Sequence, residues 1–230
     1  MNNGKNDLTE GSIGRKLISF FLPIAAGTLF AIVVGKFVGT IALAAVGGSA
    51  AHITNLLIGF FVALSGGSTV VIAQLFGAKD EESIQKATGT AIAFCIISGI
   101  VLTIVGFAFT PVFLRVLQSP PDTIAESTTY LRIVFLGVTA QLLYNMEAGM
   151  LQAVGDSKSP FIYLFICCMI NIFLDLLLVA VFKMGVAGAA IATIVSQILS
   201  AVLATAKLMR SKEAYRITLK GIGLHRKLLG

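Results

Sequence analysis

The stretch Asn171-Ile172-Phe173-Leu174-Asp175 lies inside an apolar run that extends from residue 160 to residue 182. A run of this length can cross a bilayer as a helix. Inserting an Asp deep in such a helix costs roughly 2.5–3.5 kcal/mol, so the carboxyl predicts a functional site. Asn171 precedes Asp175 by four residues, which places both polar side chains on one helix face. The alternative is a protonated Asp175 that only hydrogen-bonds a neighbouring helix.

The composition of the whole chain is that of a membrane protein. Only 12% of its 230 residues are charged and 57% are hydrophobic, and the mean hydropathy is +0.93. A soluble protein of this length needs a more highly charged surface. The sequence therefore predicts an all-α, polytopic membrane protein. The three cysteines, Cys95, Cys167 and Cys168, fall in apolar runs and are interpreted as packing residues.

Six apolar runs predict six transmembrane helices, at residues 17–38, 52–76, 87–109, 128–154, 160–183 and 186–208. Residues 1–16 are predicted to form a cytoplasmic leader, residues 17–208 a six-helix transmembrane lobe, and residues 209–230 a basic cytoplasmic tail. Residues 39–48 are interpreted as a short connection and residues 77–86 as a charged loop.

The distribution of Lys and Arg predicts the orientation. Thirteen of the 17 basic residues fall in the leader, in the loops after the second and fourth spans, and in the tail. The opposite side and its span ends have four, namely Lys36, Arg115, Arg132 and Lys183. Because basic loops remain in the cytoplasm, both termini are predicted to be cytoplasmic, in a multi-pass plasma-membrane protein. The net charge of +6 is thus a topology signal, and no nucleic-acid partner is expected.

A third polar residue is predicted at the depth of Asp175. Asp175 lies eight residues before Lys183, or about 12 Å below the outer end of its helix at 1.5 Å per residue. Thr193 follows the same turn by ten residues and therefore returns to nearly the same level. A carboxylate, an amide and a hydroxyl at one depth predict an oxygen-rich site for Na⁺ or a proton. Taken alone, Thr193 is better explained as donating a hydrogen bond to its own helix backbone, and only its company with Asn171 and Asp175 favours the site.

The chain shows none of the residue patterns of an enzyme. It has no paired carboxylates, Ser/His/Asp or Cys/His set, phosphate-binding loop or metal-ligand cluster in its sequence. We therefore expect no enzymatic activity, and no cofactor other than a coupling ion, Na⁺ or H⁺.

Seven segments of the chain occur in a characteristic order. They are LTEGSIGRKL (8–17), VVGKFVGTIALAAVG (33–47), LLIGFFVALSGGSTVVIAQLFGAKDEE (56–82), TTYLRIVFLG (128–137), GDSKSP (155–160), NIFLDLLLV (171–179) and GVAGAAIATIVSQ (185–197). Together these segments resemble the N-terminal lobe of the MATE (multidrug and toxic compound extrusion) transporters. The resemblance extends from about residue 8 to residue 210 and is highly specific in combination.

The resemblance implies a cation-coupled antiporter that exports cationic, lipophilic compounds. One branch of the family binds its cation with an Asn and an Asp on the fifth helix and a Thr on the sixth, which correspond here to Asn171, Asp175 and Thr193. The resemblance further implies a substrate cavity. The candidate lining residues are polar residues within the second and fourth spans, namely Asn55, Gln141, Asn145 and Glu147. Glu147 could alternatively extend to the membrane interface.

The sequence departs from the family pattern in two places. Family members have twelve spans in two lobes, whereas this sequence has six, and its tail matches the start of the inter-lobe loop. The first helix also lacks the acidic residue that usually precedes the segment matching Ala31–Gly35, as if about two helical turns were deleted. Two interpretations follow: a half-transporter that works as a homodimer or with a separate second lobe, or a truncated or degenerate lobe that does not transport alone.

Overall fold

The computed structural model describes residues 32, 35–211, 213, 215–217 and 223. The leader, most of the first predicted span and most of the tail lie outside the described residues. Within them the chain is helical and contains no strand, which confirms the predicted all-α class. The helices are α1 (Thr40–Gly47), α2 (Ser49–Ala78), α3 (Glu81–Val116), α4 (Ile124–Ala153), α5 (Lys158–Asp175, continued as a π-helix over Leu176–Val181) and α6 (Gly185–Arg210).

Helices α2 to α6 match the second to sixth predicted spans, but the connections are more helical than predicted. The expected connection at 39–48 contains helix α1. The expected charged loop at 77–86 is reduced to Lys79 and Asp80, because Lys79 adopts a left-handed conformation that ends α2. The Asp80 carboxylate then accepts a hydrogen bond from the Ser83 backbone N–H at 3.1 Å and caps α3.

Four stretches of the described residues have the length and hydropathy to cross a membrane: Thr40–Phe60, Glu81–Val116, Lys158–Val181 and Gly185–Arg210. Helix α4 is not among them, because its apolar residues are interrupted by Arg132, Gln141, Asn145 and Glu147. It is nevertheless the central helix and packs against α1, α2, α3 and α6. Of these polar side chains, Glu147 is buried by protein, Gln141 and Asn145 are half-buried, and Arg132 is exposed, so three of the four are at least partly shielded from lipid.

Small residues allow α4 to approach its neighbours closely. A Cβ added at Gly99 or Gly106 of α3 would collide with Thr139 or Phe135 of α4. At Gly137 of α4 it would meet Ile194 of α6 at 2.9 Å. Such close packing is the main source of helix association in membranes, where apolar burial supplies little driving force. These contacts hold α3 and α6 against α4, and α4 and α6 are two of the three helices that form the candidate site.

The turn between α4 and α5 is stabilised by Asp156. Its carboxylate accepts hydrogen bonds from the Ser159 backbone N–H at 3.0 Å and from the Ser159 hydroxyl at 2.7 Å. Lys207, near the end of α6, lies 3.7 Å away. Partial burial raises the pKa of Asp156, but the Ser159 hydrogen bonds and the Lys207 charge outweigh it and hold the pKa below its ordinary value.

This lowered pKa predicts an acid-sensitive contribution to stability. The charged form is favoured in the folded protein, so its contribution is complete above the unfolded pKa, about 3.9, and is lost as the pH falls through the lower folded pKa. We expect Asp156→Asn to lower the free energy of unfolding by about 0.2–1 kcal/mol at pH 7, because the amide oxygen can still cap the helix but the charge that faces Lys207 is lost, and to weaken the acid dependence.

Thermal unfolding of the purified protein between pH 3 and pH 7 measures this effect. Ser157→Ala is the matched control, because Ser157 is exposed and its side chain caps no backbone group. An acid dependence that is the same in Asp156→Asn and in wild type would contradict the assignment.

Candidate functional site: a buried carboxyl beside a polar cavity

Asp175 occupies the point at which α5 changes its hydrogen-bonding pattern. The helix is α-helical through Asp175 and π-helical over Leu176–Val181. Single π-helical turns within α-helices frequently mark functional sites. The helix ends in a tight turn, where Lys183 adopts a left-handed conformation with φ of 53° and the Met184 N–H donates to the Leu178 carbonyl at 2.9 Å.

The Asp175 carboxylate is buried, and no hydrogen bond from a described residue compensates for its loss of contact with water. It is 1% exposed, and neither carboxylate oxygen has a hydrogen-bond partner among the described residues. Since buried polar groups are nearly always satisfied by protein, water or an ion, the two free oxygens indicate a place where a cation, a proton or water belongs.

A cavity of about 330 Å³ lies between α4, α5 and α6, and its polar groups are set in a largely apolar surface. None of its lining residues is Asp, Glu, Lys or Arg, so its polarity comes from amides and hydroxyls. The lining residues are Gln141, Tyr144 and Asn145 of α4, Leu164, Cys167, Cys168 and Asn171 of α5, and Thr193, Ser196, Gln197 and Ser200 of α6.

The structure brings Asn171 and Thr193 to this one cavity. The Asn171 Nδ2 is buried and has no hydrogen-bond partner among the described residues. The Thr193 hydroxyl donates to the carbonyl of Ala189 in its own helix at 3.0 Å, which leaves its oxygen lone pairs available. Asp175 does not line the cavity but lies one turn beyond Asn171 on the same helix.

Two of the four candidate substrate-cavity residues also line it. Gln141 accepts a hydrogen bond at its Oε1 from the Gln197 Nε2 at 3.2 Å, which links α4 to α6. Asn145 donates to the Gln141 backbone carbonyl at 2.8 Å. The side-chain amides of Gln141 and Gln197 are therefore bonded to each other, whereas the Asn145 amide is bonded to its own helix backbone.

The other two candidates lie elsewhere. Glu147 is 1% exposed and accepts a hydrogen bond from Thr205 of α6, so it neither lines this cavity nor extends to the surface. Asn55 is exposed on α2, away from the cavity.

Sequence reasoning missed Tyr144, Ser196, Gln197 and Ser200. The last three follow Thr193 by three, four and seven residues and therefore share its helix face, so helical spacing could have identified them. Tyr144 has no such signal. Its position is fixed by a hydrogen bond from its hydroxyl to the Pro160 carbonyl at 2.9 Å, a contact between residues of two helices.

Together these features define a polytopic helical membrane protein with a polar site between its helices. Residues 17–177 match the MatE family model. The chain belongs to the MatE family.

Curated relatives agree with this membership. The chain is 34% identical over 202 residues to the "Probable multidrug resistance protein YoeA" of Bacillus subtilis, covering 83% of this chain and 43% of that protein. It is 23% identical to the "Multidrug export protein MepA" of Staphylococcus aureus, covering 92% of this chain and 48% of that protein. The chain thus spans about half the length of the curated relatives it matches.

Solved structures show the same fold. The outward-facing conformation of a multidrug resistance MATE family transporter superimposes with a TM-score of 0.83 at 23% identity, covering 93% of this chain and 47% of that one. An inward-facing conformation matches with a TM-score of 0.80 at 22% identity, covering 93% and 50%. The described helices therefore have the arrangement found in about half of such a transporter.

Proposed function

We propose that this chain is one lobe of a cation-coupled antiporter that exports cationic, lipophilic compounds, and not an enzyme. The observation that carries the proposal is Asp175, whose buried carboxylate oxygens have no hydrogen-bond partner among the described residues and lie at the π-helical turn of a membrane-crossing helix. Membership of the MatE family, and the multidrug names of the relatives, support export as the activity.

Asp175, Asn171 and Thr193 are proposed to hold the coupling ion, either Na⁺ or H⁺. The donor set fits a hard monovalent cation, which prefers carboxylate, amide carbonyl and hydroxyl oxygens. The same carboxyl can alternatively take up a proton, which removes the cost of a buried charge. When bound, the cation would neutralise the negative charge of the buried Asp175 carboxylate.

The cavity beside this site is proposed to receive the exported compound. Its amides and hydroxyls offer hydrogen bonds without fixing a net charge, and Leu164, Cys167 and Cys168 add apolar surface. A cationic compound in the cavity and a cation at Asp175 would compete for the same negative charge. If the ion and the exported compound favour different conformations of the lobe, binding of one drives release of the other. The two ligands then cross the membrane in opposite directions.

The working assembly is proposed to contain a second six-helix lobe. The curated relatives are about twice as long as the matched region. The assembly is proposed to span the plasma membrane with both termini in the cytoplasm, following the Lys and Arg distribution. Lipid is its surrounding partner, and no nucleic-acid partner is proposed.

Export is tested by loading cells with a fluorescent cationic dye and following its loss. Cells that express this chain are expected to clear the dye faster than cells that contain the empty vector. Removing Na⁺, or collapsing the proton gradient with an ionophore, is expected to abolish the difference and thereby to identify the coupling ion.

A second interpretation is a degenerate lobe that folds but does not transport alone. It predicts equal dye loss with and without the chain, although the protein reaches the membrane at a normal level. Equal loss at confirmed expression, both alone and with a family member's second lobe supplied, would overturn the export proposal.

A further inference from the structure

A second buried carboxyl lies outside the Asp175 site. Glu147, on α4, is 1% exposed and accepts a hydrogen bond at Oε1 from the Thr205 hydroxyl of α6. Its other oxygen, Oε2, is buried and has no hydrogen-bond partner among the described residues. Glu147 follows Gln141 by six residues and Thr205 follows Gln197 by eight, so this pair is a separate contact between α4 and α6, nearer the end that carries Asp156.

No described basic side chain compensates the charge of Glu147. On α6, Lys207 lies beside Asp156 and Arg210 is exposed. On α3, Lys86 pairs with Glu82, while Glu81 and Arg115 are exposed. On α4 itself, Arg132 lies over the Phe107 ring, 5.2 Å from its centroid. After α2, Lys79 is exposed.

We propose that Glu147 and Thr205 form a second proton-binding site, with Glu147 a neutral carboxylic acid in the folded protein. A carboxylate that has one hydrogen bond and no counter-ion is far more costly in a buried site than the protonated acid. A metal cation is a poorer occupant, because one carboxyl and one hydroxyl supply too few of the oxygen ligands that hard cations require.

Buried apolar residues flank both members of the Glu147–Thr205 pair and separate it from solvent. Ala201, Ala204 and Leu208, all buried, flank Thr205 on α6. On α4 the flanking residues Met146, Ala148 and Leu151 are also buried. The lobe therefore has two acids on different helices with the amide and hydroxyl cavity between their levels. This site does not depend on the transport proposal.

Infrared spectroscopy of the purified protein in lipid nanodiscs tests the proposal. Protonated carboxyl groups give a C=O stretching band that carboxylates lack. At pH 7 we expect the loss of one component of this band in Glu147→Gln, whose amide has nearly the shape of the neutral acid. Asp175→Asn is the control and is expected to leave that component unchanged.

Thr205→Val provides an independent measurement that retains the acid. Removing the hydroxyl donor is expected to shift the Glu147 component to higher frequency, because the C=O group loses its hydrogen bond. If neither Glu147→Gln nor Thr205→Val alters the protonated-carboxyl band at pH 7, Glu147 is ionised and the proposal is wrong. If Glu147→Gln fails to fold, the Thr205→Val spectrum alone decides in the same way.

Discussion

Asp175→Asn is expected to abolish cation-driven dye export while the lobe remains folded and in the membrane. The amide has the size of the carboxyl but can neither take up a proton nor balance the charge of Na⁺, so the ion loses its principal ligand. Removing one charged partner of a buried pair costs about 3–5 kcal/mol, which corresponds to a loss of two to three orders of magnitude or more in cation affinity.

The measurement is the rate of dye loss at matched membrane expression. Asp122→Asn is the control with the same chemical change, because Asp122 is exposed in the turn before α4. The control is expected to export at the wild-type rate. Undiminished export by Asp175→Asn would show that another group couples the ion.

Gly106→Ala is expected to destabilise the lobe, although alanine is the better helix former. A Cβ at this position would overlap the ring of Phe135, which is 1% exposed and cannot move into free space. Overpacking of this kind typically costs about 1–3 kcal/mol. The change should also disturb the neighbouring bond in which the Thr103 hydroxyl donates to the Phe135 carbonyl at 2.8 Å.

Gly59→Ala on α2 is the matched control, because a Cβ there meets nothing within 4 Å. It is expected to be neutral or to stabilise by up to about 1 kcal/mol through helix propensity. Thermal unfolding in detergent compares the two variants. Equal melting temperatures for both would contradict the close α3–α4 contact.

Most of the helices could be predicted from the sequence, because long apolar runs have few alternatives in a membrane. The predicted connections are longer than the observed ones, because each predicted helix ends where its apolar run ends. Helices continue past those points until a residue such as Lys79 ends them or Asp80 begins the next. Helix α1 was not predicted because its small residues resemble a linker.

The candidate site was predictable where its residues share a helix face or a turn. Asn171 and Thr193 reached the same cavity because the α5–α6 turn determines their relative depth. Contacts between separate helices could not be predicted, because nothing in the sequence shows that Gln141 faces Gln197 while Glu147 faces Thr205. The π-helical turn after Asp175 likewise has no sequence signal.

The central claim is that Asp175, Asn171 and Thr193 bind a coupling cation. It is tested most directly by the thermal stability of the purified chain, measured against Na⁺ concentration at constant pH and against pH without Na⁺. Because a ligand that binds only the folded state stabilises it by about 2.7 kcal/mol at 100 times its Kd, the wild-type melting temperature should rise with Na⁺ or on acidification. Asp175→Asn should lose that response. A wild-type response that persists unchanged in Asp175→Asn would contradict the account.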